Sequence, residues 1–145
     1  MAESTSYLLG KFVTLLESQA EHLLRAHLDI SYRRMLFLFV LQQQESITQH
    51  RLAQFLGYSD PAISTMLREL VKDGYVTTTH DPDHGRKHLV RITPHGLELA
   101  RKGRLLLDTH FDELVQRAQV DNEQLQHMTR RLLAALAAKT QKETS

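Results

Sequence analysis

The stretch that decides the fold is YSDPAISTMLRELVKDGYV, Tyr58 to Val76. Its apolar residues recur at helical spacing and predict one apolar face, made of Ile63, Met66, Leu67, Leu70 and Val71. The other face carries small or polar groups and basic residues: Pro61, Ser64, Thr65, Arg68 and Lys72. A solvated helix face usually carries long charged side chains throughout, so the short side chains over the first two turns need another explanation.

A shorter helix precedes this one in ITQHRLAQFLG, where Thr48 is a candidate N-cap and Gly57 suits a left-handed C-terminal residue. In the following helix Asp60 is the predicted N-cap before the proline, with Ser59 as the alternative, and Gly74 closes the helix. Two helices of roughly three turns that meet at a tight glycine turn are typical of a helix-turn-helix. Other compact helix pairs also use such a turn.

A hairpin follows in YVTTTHDPDHGRKHLVRIT. The segment YVTTTH is rich in β-branched residues, KHLVRIT alternates in polarity, and DPDHG between them is dense in turn formers. The pattern predicts a two-stranded wing directly after the helix-turn-helix. After Asp83 the wing holds Arg86, Lys87 and Arg91 with no acid, which favours contact with an anion; a solvated hairpin with chance charges is the alternative.

Helical patterns also flank this central region. One helix is predicted from about Ser6 to His27 and a second from about Tyr32 to Gln43. The centre of the second, MLFLFVL, fits a buried strand by periodicity alone, but the flanking arginines and glutamines favour a helix. Thr93 caps a helix that runs to about Ala118, with a proline at its first position, and Asp121 caps the last helix.

The predicted fold is therefore mainly α with a small β-hairpin wing: a winged helix-turn-helix with N- and C-terminal dimerisation helices. Residues 1–30 and 95–145 are the predicted helical dimerisation region, and residues 31–94 are the predicted DNA-binding lobe. The terminal helices carry more apolar surface than a small monomer needs. We expect them to pack against their copies in a second chain; the alternative is that they only cover their own lobe.

Composition narrows the function classes. The 145 residues include no cysteine, which excludes disulfides, thiolate zinc sites and cysteine-oxidation switches. No apolar run reaches membrane-spanning length and the N-terminus lacks a basic signal segment, so a cytoplasmic protein is expected. The sequence shows no enzyme motif. His80, His84 and His88 recur every fourth residue, but a hairpin spans them, and neither a metal nor a cofactor is predicted.

The order of elements and the local motifs resemble the MarR family of bacterial transcription regulators. The matching segments are LAQFLGYSDPAISTMLRELVKDGYV (Leu52 to Val76), DPDHGRKHLVRIT (Asp81 to Thr93) and ITPHG (Ile92 to Gly96). The resemblance implies an obligate homodimer with two winged-helix lobes on duplex DNA, tuned by a small ligand. The sequence departs from the family pattern at Thr65 and His84, where other residue types are common, and at Tyr75, where a smaller aliphatic residue is usual.

The predicted DNA contacts come from three places. They are the outer face of the helix that contains Pro61, the start of the shorter helix before it, and the wing. Short side chains let a helix approach the major groove, Arg68 can reach a guanine or a phosphate, and Arg86 can enter the minor groove while Asp83 holds it. An alternative pairs Arg68 with Asp60 or Glu69 on its own helix. The full predicted set is Thr48, Gln49, Arg51, Ser59, Pro61, Ala62, Ser64, Thr65, Arg68, Asp83, His84, Arg86 and Lys87.

The predicted function is sequence-specific binding of double-stranded DNA by a homodimeric, ligand-responsive repressor on a pseudo-palindromic operator. A winged-helix module for protein–protein contact without DNA binding is the alternative, supported by a net charge of only +1. The expected effector is small and aromatic or anionic. His27, Tyr32 and Arg33 lie near the place where the family resemblance puts such a pocket, but the sequence does not fix the ligand residues.

Overall fold

The computed structural model describes residues 3–81 and 83–143, without the side chains of residues 81 and 84–87. Six helices and a three-stranded antiparallel sheet of order β1-β3-β2 make up the fold. The elements are α1 (Thr5–Leu28), α2 (Tyr32–Gln42), β1 (Ile47–Thr48), α3 (Gln49–Leu56), α4 (Asp60–Lys72), β2 (Val76–Asp81), β3 (His84–Ile92), α5 (Pro94–Arg117) and α6 (Asn122–Glu143). This architecture confirms the predicted winged helix-turn-helix with long helices at both ends of the sequence.

Side-chain caps set the start of the helix-turn-helix pair. The Thr48 hydroxyl accepts the Arg51 N–H, and Gly57 ends α3 with a φ of 69°, both as predicted. The prediction of Asp60 as the N-cap of α4 is wrong, because the Ser59 hydroxyl accepts the Ala62 N–H. Serine and aspartate cap helices about equally well. Asp60 instead becomes an acidic residue of the first turn, where the helix dipole favours it.

The wing has one strand more than the predicted hairpin. β2 and β3 pair from Val76↔Ile92 to His80↔His88, and β1 adds to the other side of β3 through Ile47↔Val90. A strand of two residues is too short to show alternation, which explains why the sequence pattern did not indicate it. Ile47, Val76 and Val90 are buried and tie the base of the wing to the lobe.

Helix α2 lies at the centre of the core. Its Met35, Phe37 and Leu38 have no exposed side-chain surface, so the apolar run MLFLFVL is a buried helix rather than a strand. The core cluster also draws on α1, α3, α4, β3 and α5 through Leu24, Leu52, Ile63, Leu70, Val90 and Ala100. Full burial of one such side chain stabilises the fold by about 1.5–3 kcal/mol. The surface of the lobe is therefore displayed by a well-packed scaffold.

A tight junction connects α4, the wing and α5. The Thr93 hydroxyl accepts the Gly96 N–H at 3.0 Å and donates to the Gly74 carbonyl at 2.7 Å, so the predicted cap of α5 also closes the exit of α4. A Cβ atom on Gly96 would overlap the Tyr75 carbonyl oxygen. The glycine of ITPHG is thus required by close backbone approach at this junction.

The chain divides into two compact units, Met1–Leu107 and Asp108–Ser145. The first contains the winged-helix lobe and the second contains α6. In the second unit Asp121 caps α6 by accepting the N–H groups of Glu123 and Gln124, and Val115 is buried. The predicted domain bounds, 1–30 with 95–145 and 31–94, remain a prediction. No helix among residues 3–81 and 83–143 is long and apolar enough to cross a membrane.

Candidate nucleic-acid interface

Helix α4 presents three surfaces. Ile63, Leu67 and Leu70 face the core, while Val71, which the pattern placed on the apolar face, remains exposed at its edge. Successive helical residues turn by about 100°, so the side opposite the core carries every third or fourth residue. The exposed residues on that side form a surface that we call the ridge, consisting of Pro61, Thr65, Arg68 and Lys72. The narrow outer face expected from the sequence is thus a projecting edge of the lobe.

A cavity of about 580 Å³ lies along one side of the ridge. We call it the histidine groove, and its lining residues are Thr48, Gln49, His50, Arg51, Asp60, Ser64 and His88. Gln49 Nε2 donates to Ser64 Oγ at 2.6 Å and His50 Nδ1 lies 3.5 Å from Asp60 Oδ1, so α3 and α4 are linked across it. The His88 ring also contacts His80 on the neighbouring strand, with centroids 4.4 Å apart.

A second cavity of about 600 Å³ lies along the other side of the ridge. We call it the arginine groove, and its lining residues are Glu21, Arg25, Ser31, Arg33, Arg34, Ala62, Thr65, Met66 and Glu69. Arg34 pairs with Glu69 of α4, and Arg25 pairs with Glu21 at 2.8 Å. The Arg33 guanidinium lies 5.5 Å from the centroid of the Tyr58 ring. Sequence reasoning did not include Arg33 or Arg34 in the interface, although two adjacent arginines at a helix start were visible.

The hydroxyls predicted to contact DNA already hold local hydrogen bonds. Thr48 and Ser59 cap their helices, Ser64 accepts from Gln49, and the Thr65 hydroxyl donates to the Pro61 carbonyl at 3.1 Å. A hydroxyl that accepts one bond can still donate its own proton, so capping fixes Thr48 and Ser59 in place without exhausting them. Their contact with DNA remains a prediction.

Arg68 does not follow the alternative in which a carboxylate of its own helix holds it. Its Nη2 lies 3.4 Å from Thr65 Oγ1, while Asp60 pairs with His50 and Glu69 pairs with Arg34. Arg68 is exposed and lies on the ridge. Its guanidinium is therefore available to a ligand that approaches the ridge.

The wing extends beside the histidine groove through His80↔His88. Asp83 is exposed, whereas the side chains of His84, Arg86 and Lys87 lie outside the described residues, so their predicted DNA contacts are not tested. Within the described part of the chain, no three histidine or acidic side chains lie close enough together to hold a metal ion.

The residues suggested for an effector pocket do not meet in one cavity. His27 lines a cavity of about 450 Å³ together with Tyr75, His95 and Lys102, whereas Arg33 lines the arginine groove. The Tyr75 and His95 rings stack with centroids 4.7 Å apart. Tyr32 has another role: its backbone N–H donates to Glu21 at 2.8 Å, and burial raises the pKa of its phenol.

Glu21, which lines the arginine groove, links α1 to the start of α2. The hydrogen bond from Arg25, followed by the one from the Tyr32 N–H, holds the pKa of the Glu21 carboxyl below its ordinary value. The carboxylate is therefore the favoured form at neutral pH, and it fixes the segment that carries Arg33 and Arg34.

Comparison with family models matches residues 28–87 to a model described as MarR family. These residues include the helix-turn-helix and reach into β3. Comparison with curated protein sequences gives no match.

Solved structures of the same fold cover nearly the whole chain. A MarR mutant from E. coli superposes with a TM-score of 0.82 at 20% identity, covering 92% of this chain and 98% of that one. BldR from Sulfolobus solfataricus gives 0.76 at 21% identity, covering 88% and 91%. A complex of S. aureus MepR with DNA gives 0.74 at 24% identity, covering 94% and 99%. At these identities the likeness establishes the fold.

Proposed function

We propose that this chain is a transcription regulator of the MarR family, whose model matches residues 28–87, and that it binds duplex DNA as a homodimer. We further propose that it acts as a ligand-responsive repressor on a pseudo-palindromic operator. The observation that carries the proposal is the ridge of α4, which projects between the histidine groove and the arginine groove. A DNA complex of MepR, which has the same fold, supports this mode of binding.

The shape of the ridge fits a major groove, which is about 12 Å wide and admits one helix. Pro61 and Thr65 are short, so the α4 backbone can approach the base edges closely. The Thr65 methyl and Ala62 suit the thymine methyl, and Arg68 suits the paired acceptors of guanine. Because the Thr65 hydroxyl donates to its own helix, its apolar side is the part left for a base.

The start of α3 positions the helix on the backbone. Thr48, Gln49 and Arg51 line the histidine groove, where they face the same cavity as Ser64 of α4. Contacts to phosphate set the register of a protein on DNA without reading its sequence. Asp83, His84, Arg86 and Lys87 of the wing complete the proposed interface in the adjacent minor groove.

Exposed apolar side chains on the terminal helices support the homodimer. Large apolar residues stay exposed on the first half of α1, from Tyr7 to Leu15, and on α6 at Met128, Leu132, Leu133 and Leu136. A second copy that covers them would hold two lobes at a fixed separation. For two half-sites on one DNA face, that separation is about 34–36 Å, one helical turn.

The cavity beside His27 is the proposed effector site. The stacked Tyr75 and His95 rings offer an aromatic surface, so a small aromatic compound suits it. Lys102 shares the lining with Asp29 and Glu98, so the charges of the cavity do not by themselves favour an anion. The site adjoins the junction between α4 and α5. Such a ligand shifts DNA binding only to the extent that it prefers one arrangement of the lobes.

Selection of bound duplexes from a random pool, repeated with small aromatic compounds both neutral and acidic, tests the proposal. We expect an enriched pseudo-palindrome, and we expect Arg68→Ala to weaken binding to it by about 1–3 kcal/mol while relaxing the preference at one base pair per half-site. Lys139→Ala, on α6, is the charge-matched control. Absence of any DNA affinity even at low salt would favour the protein–protein module that the near-neutral charge supports.

A further inference from the structure

We propose that the arginine groove holds one of the two sugar–phosphate strands that border the DNA major groove, with Arg33 as its principal phosphate contact. The inference rests on the proposed function and deepens it. It adds the start of α2 to an interface that sequence reasoning confined to α3, α4 and the wing. It also gives each of the two strands beside α4 its own contacts, one through α3 and the other through α2.

If α4 lies in the major groove of DNA, the lobe must accommodate one sugar–phosphate strand on each side of this helix. A helix that lies in the major groove has a sugar–phosphate backbone on either side of it. In this chain the ridge has one groove on either side, of about 580 and 600 Å³, and α4 lines both. The histidine groove holds the predicted backbone contacts of α3. The arginine groove is the corresponding place for the opposite strand.

The charges of the arginine groove suit a polyanion. Its lining includes three arginines and two glutamates, which gives a balance of +1. The histidine groove has Arg51 and Asp60, which gives a balance of zero with neutral histidines. In the arginine groove Arg25 pairs with Glu21 and Arg34 pairs with Glu69, so the excess charge belongs to Arg33.

Arg33 is already oriented for such a contact. Its side chain is exposed, and the Tyr58 ring lies 5.5 Å from the guanidinium carbon. An aromatic ring that lies against a guanidinium reduces the freedom lost on binding and leaves the N–H groups at its edge for an anion. Tyr58 stands in the turn between α3 and α4, so the arginine is held against the helix-turn-helix itself.

Glu69 provides a substitution that should strengthen DNA binding rather than weaken it. The carboxylate lies on α4 within the groove and would repel a phosphate, and Arg34 neutralises it. Replacing Glu69 with glutamine removes the repulsion and leaves the Arg34 charge uncompensated. If a phosphate strand occupies the groove, this substitution strengthens DNA binding, whereas removal of Arg33 weakens it.

The test measures binding to a random duplex of about 30 base pairs, long enough for two half-sites one turn apart, over a range of salt concentrations. Phosphate contacts are sequence-independent, and each one contributes about 0.9 to the slope of log affinity against log salt. We expect Arg33→Ala to weaken binding about tenfold and to reduce the slope by about two in a dimer. Arg33→Lys should retain the slope, and Glu69→Gln should tighten binding several-fold.

Arg101→Ala is the matched control, because it removes the same charge from a residue that lines neither groove and pairs with Glu98 on α5. Circular dichroism and gel filtration verify that each variant folds and assembles like the wild type. If the wild type binds DNA and Arg33→Ala behaves like Arg101→Ala, the inference is wrong and the proposed function stands. A weaker Glu69→Gln complex would also overturn it. If the wild type does not bind DNA, both fall together.

Discussion

Two leucines that both lie on apolar helical stripes have opposite environments in this molecule. Leu38 of α2 is completely buried, whereas Leu132 of α6 is 62% exposed. Both belong to apolar stripes at helical spacing, and α6 has no buried residue along its whole length. The periodicity of a sequence therefore predicts which face of a helix is apolar. It does not predict whether that face packs against its own chain or against another chain.

Helix α1 shows the same contrast within one element. Its first half exposes Tyr7, Phe12 and Leu15, while its second half buries Ala20 and Leu24 in or beside the lobe. If α1 packed only against its own lobe, the exposed apolar side chains of its first half would have no packing partner. The contrast separates residues that stabilise the lobe from residues that we assign to the dimer.

The largest effect is expected from charges on the exposed stripe. Leu132→Asp combined with Leu136→Asp should produce a monomer at micromolar concentration in analytical ultracentrifugation, because two carboxylates would be buried in the proposed interface. Operator affinity should fall by about 10²–10⁴ as the two lobes lose their link. The control, Ala134→Asp with Ala138→Asp, places the same charges at the same spacing on the other face of α6. Dimers in both variants would refute the assignment.

The next effect distinguishes the two leucines directly. Leu38→Ala should lower the free energy of unfolding by about 2–5 kcal/mol at any protein concentration, because it leaves a cavity in the core. Leu132→Ala should lower the apparent stability only in so far as it weakens association, so its effect should vary with protein concentration. Chemical denaturation at two concentrations a hundredfold apart measures both. A concentration-independent loss for Leu132→Ala would place that side chain in its own chain's core.

Most of the fold could be predicted because its signals are local. The caps formed by Thr48, Thr93 and Asp121 span one helical turn, and Gly57 needs only its own backbone angle. The errors arose where two local choices were nearly equal in energy or where the element was too short. Ser59 rather than Asp60 caps α4, and the two residues of β1 became a strand only because β3 lies beside them.

The candidate site was less predictable, because half of it depends on tertiary packing. The ridge could be read from the helical spacing of α4. The arginine groove could not be predicted from the sequence, since Arg34 and Glu69 are 35 residues apart and meet only after α2 packs near α4. For the same reason the sequence could not group the residues of an effector pocket, because His27 and Arg33 line different cavities.

Two glycines extend the comparison between the packed lobe and the exposed helix. Gly96→Ala should cost about 1–3 kcal/mol of stability, since the added Cβ would overlap the Tyr75 carbonyl oxygen, which cannot move aside as a side chain would. Gly10→Ala in α1 meets nothing of its own chain within 4 Å, so in the Leu132→Asp, Leu136→Asp background, where no second copy covers α1, it should stabilise the protein by about 0.4–1 kcal/mol. Thermal melts of both variants provide the measurement. Equal destabilisation would mean that α1 is as closely packed as the junction.

The smallest effect concerns Glu21, which lies where the exposed half of α1 gives way to its buried half. Hydrogen bonds from Arg25 and from the Tyr32 N–H lower the pKa of its carboxyl from an ordinary 4.5. A lowered folded-state pKa contributes stability that is fully present above the unfolded value and is lost as the pH falls through the folded value. Because the side chain is 42% exposed, solvent screening limits the contribution to about 0.5 kcal/mol.

Wild type should therefore be more stable than Glu21→Gln above about pH 5, and the difference in the free energy of unfolding should vanish towards pH 3. Denaturant titrations across this range, with Glu17→Gln as a control one turn earlier on α1, check the sign. A gap that widened on acidification would show that the carboxylate does not link α1 to α2 in solution.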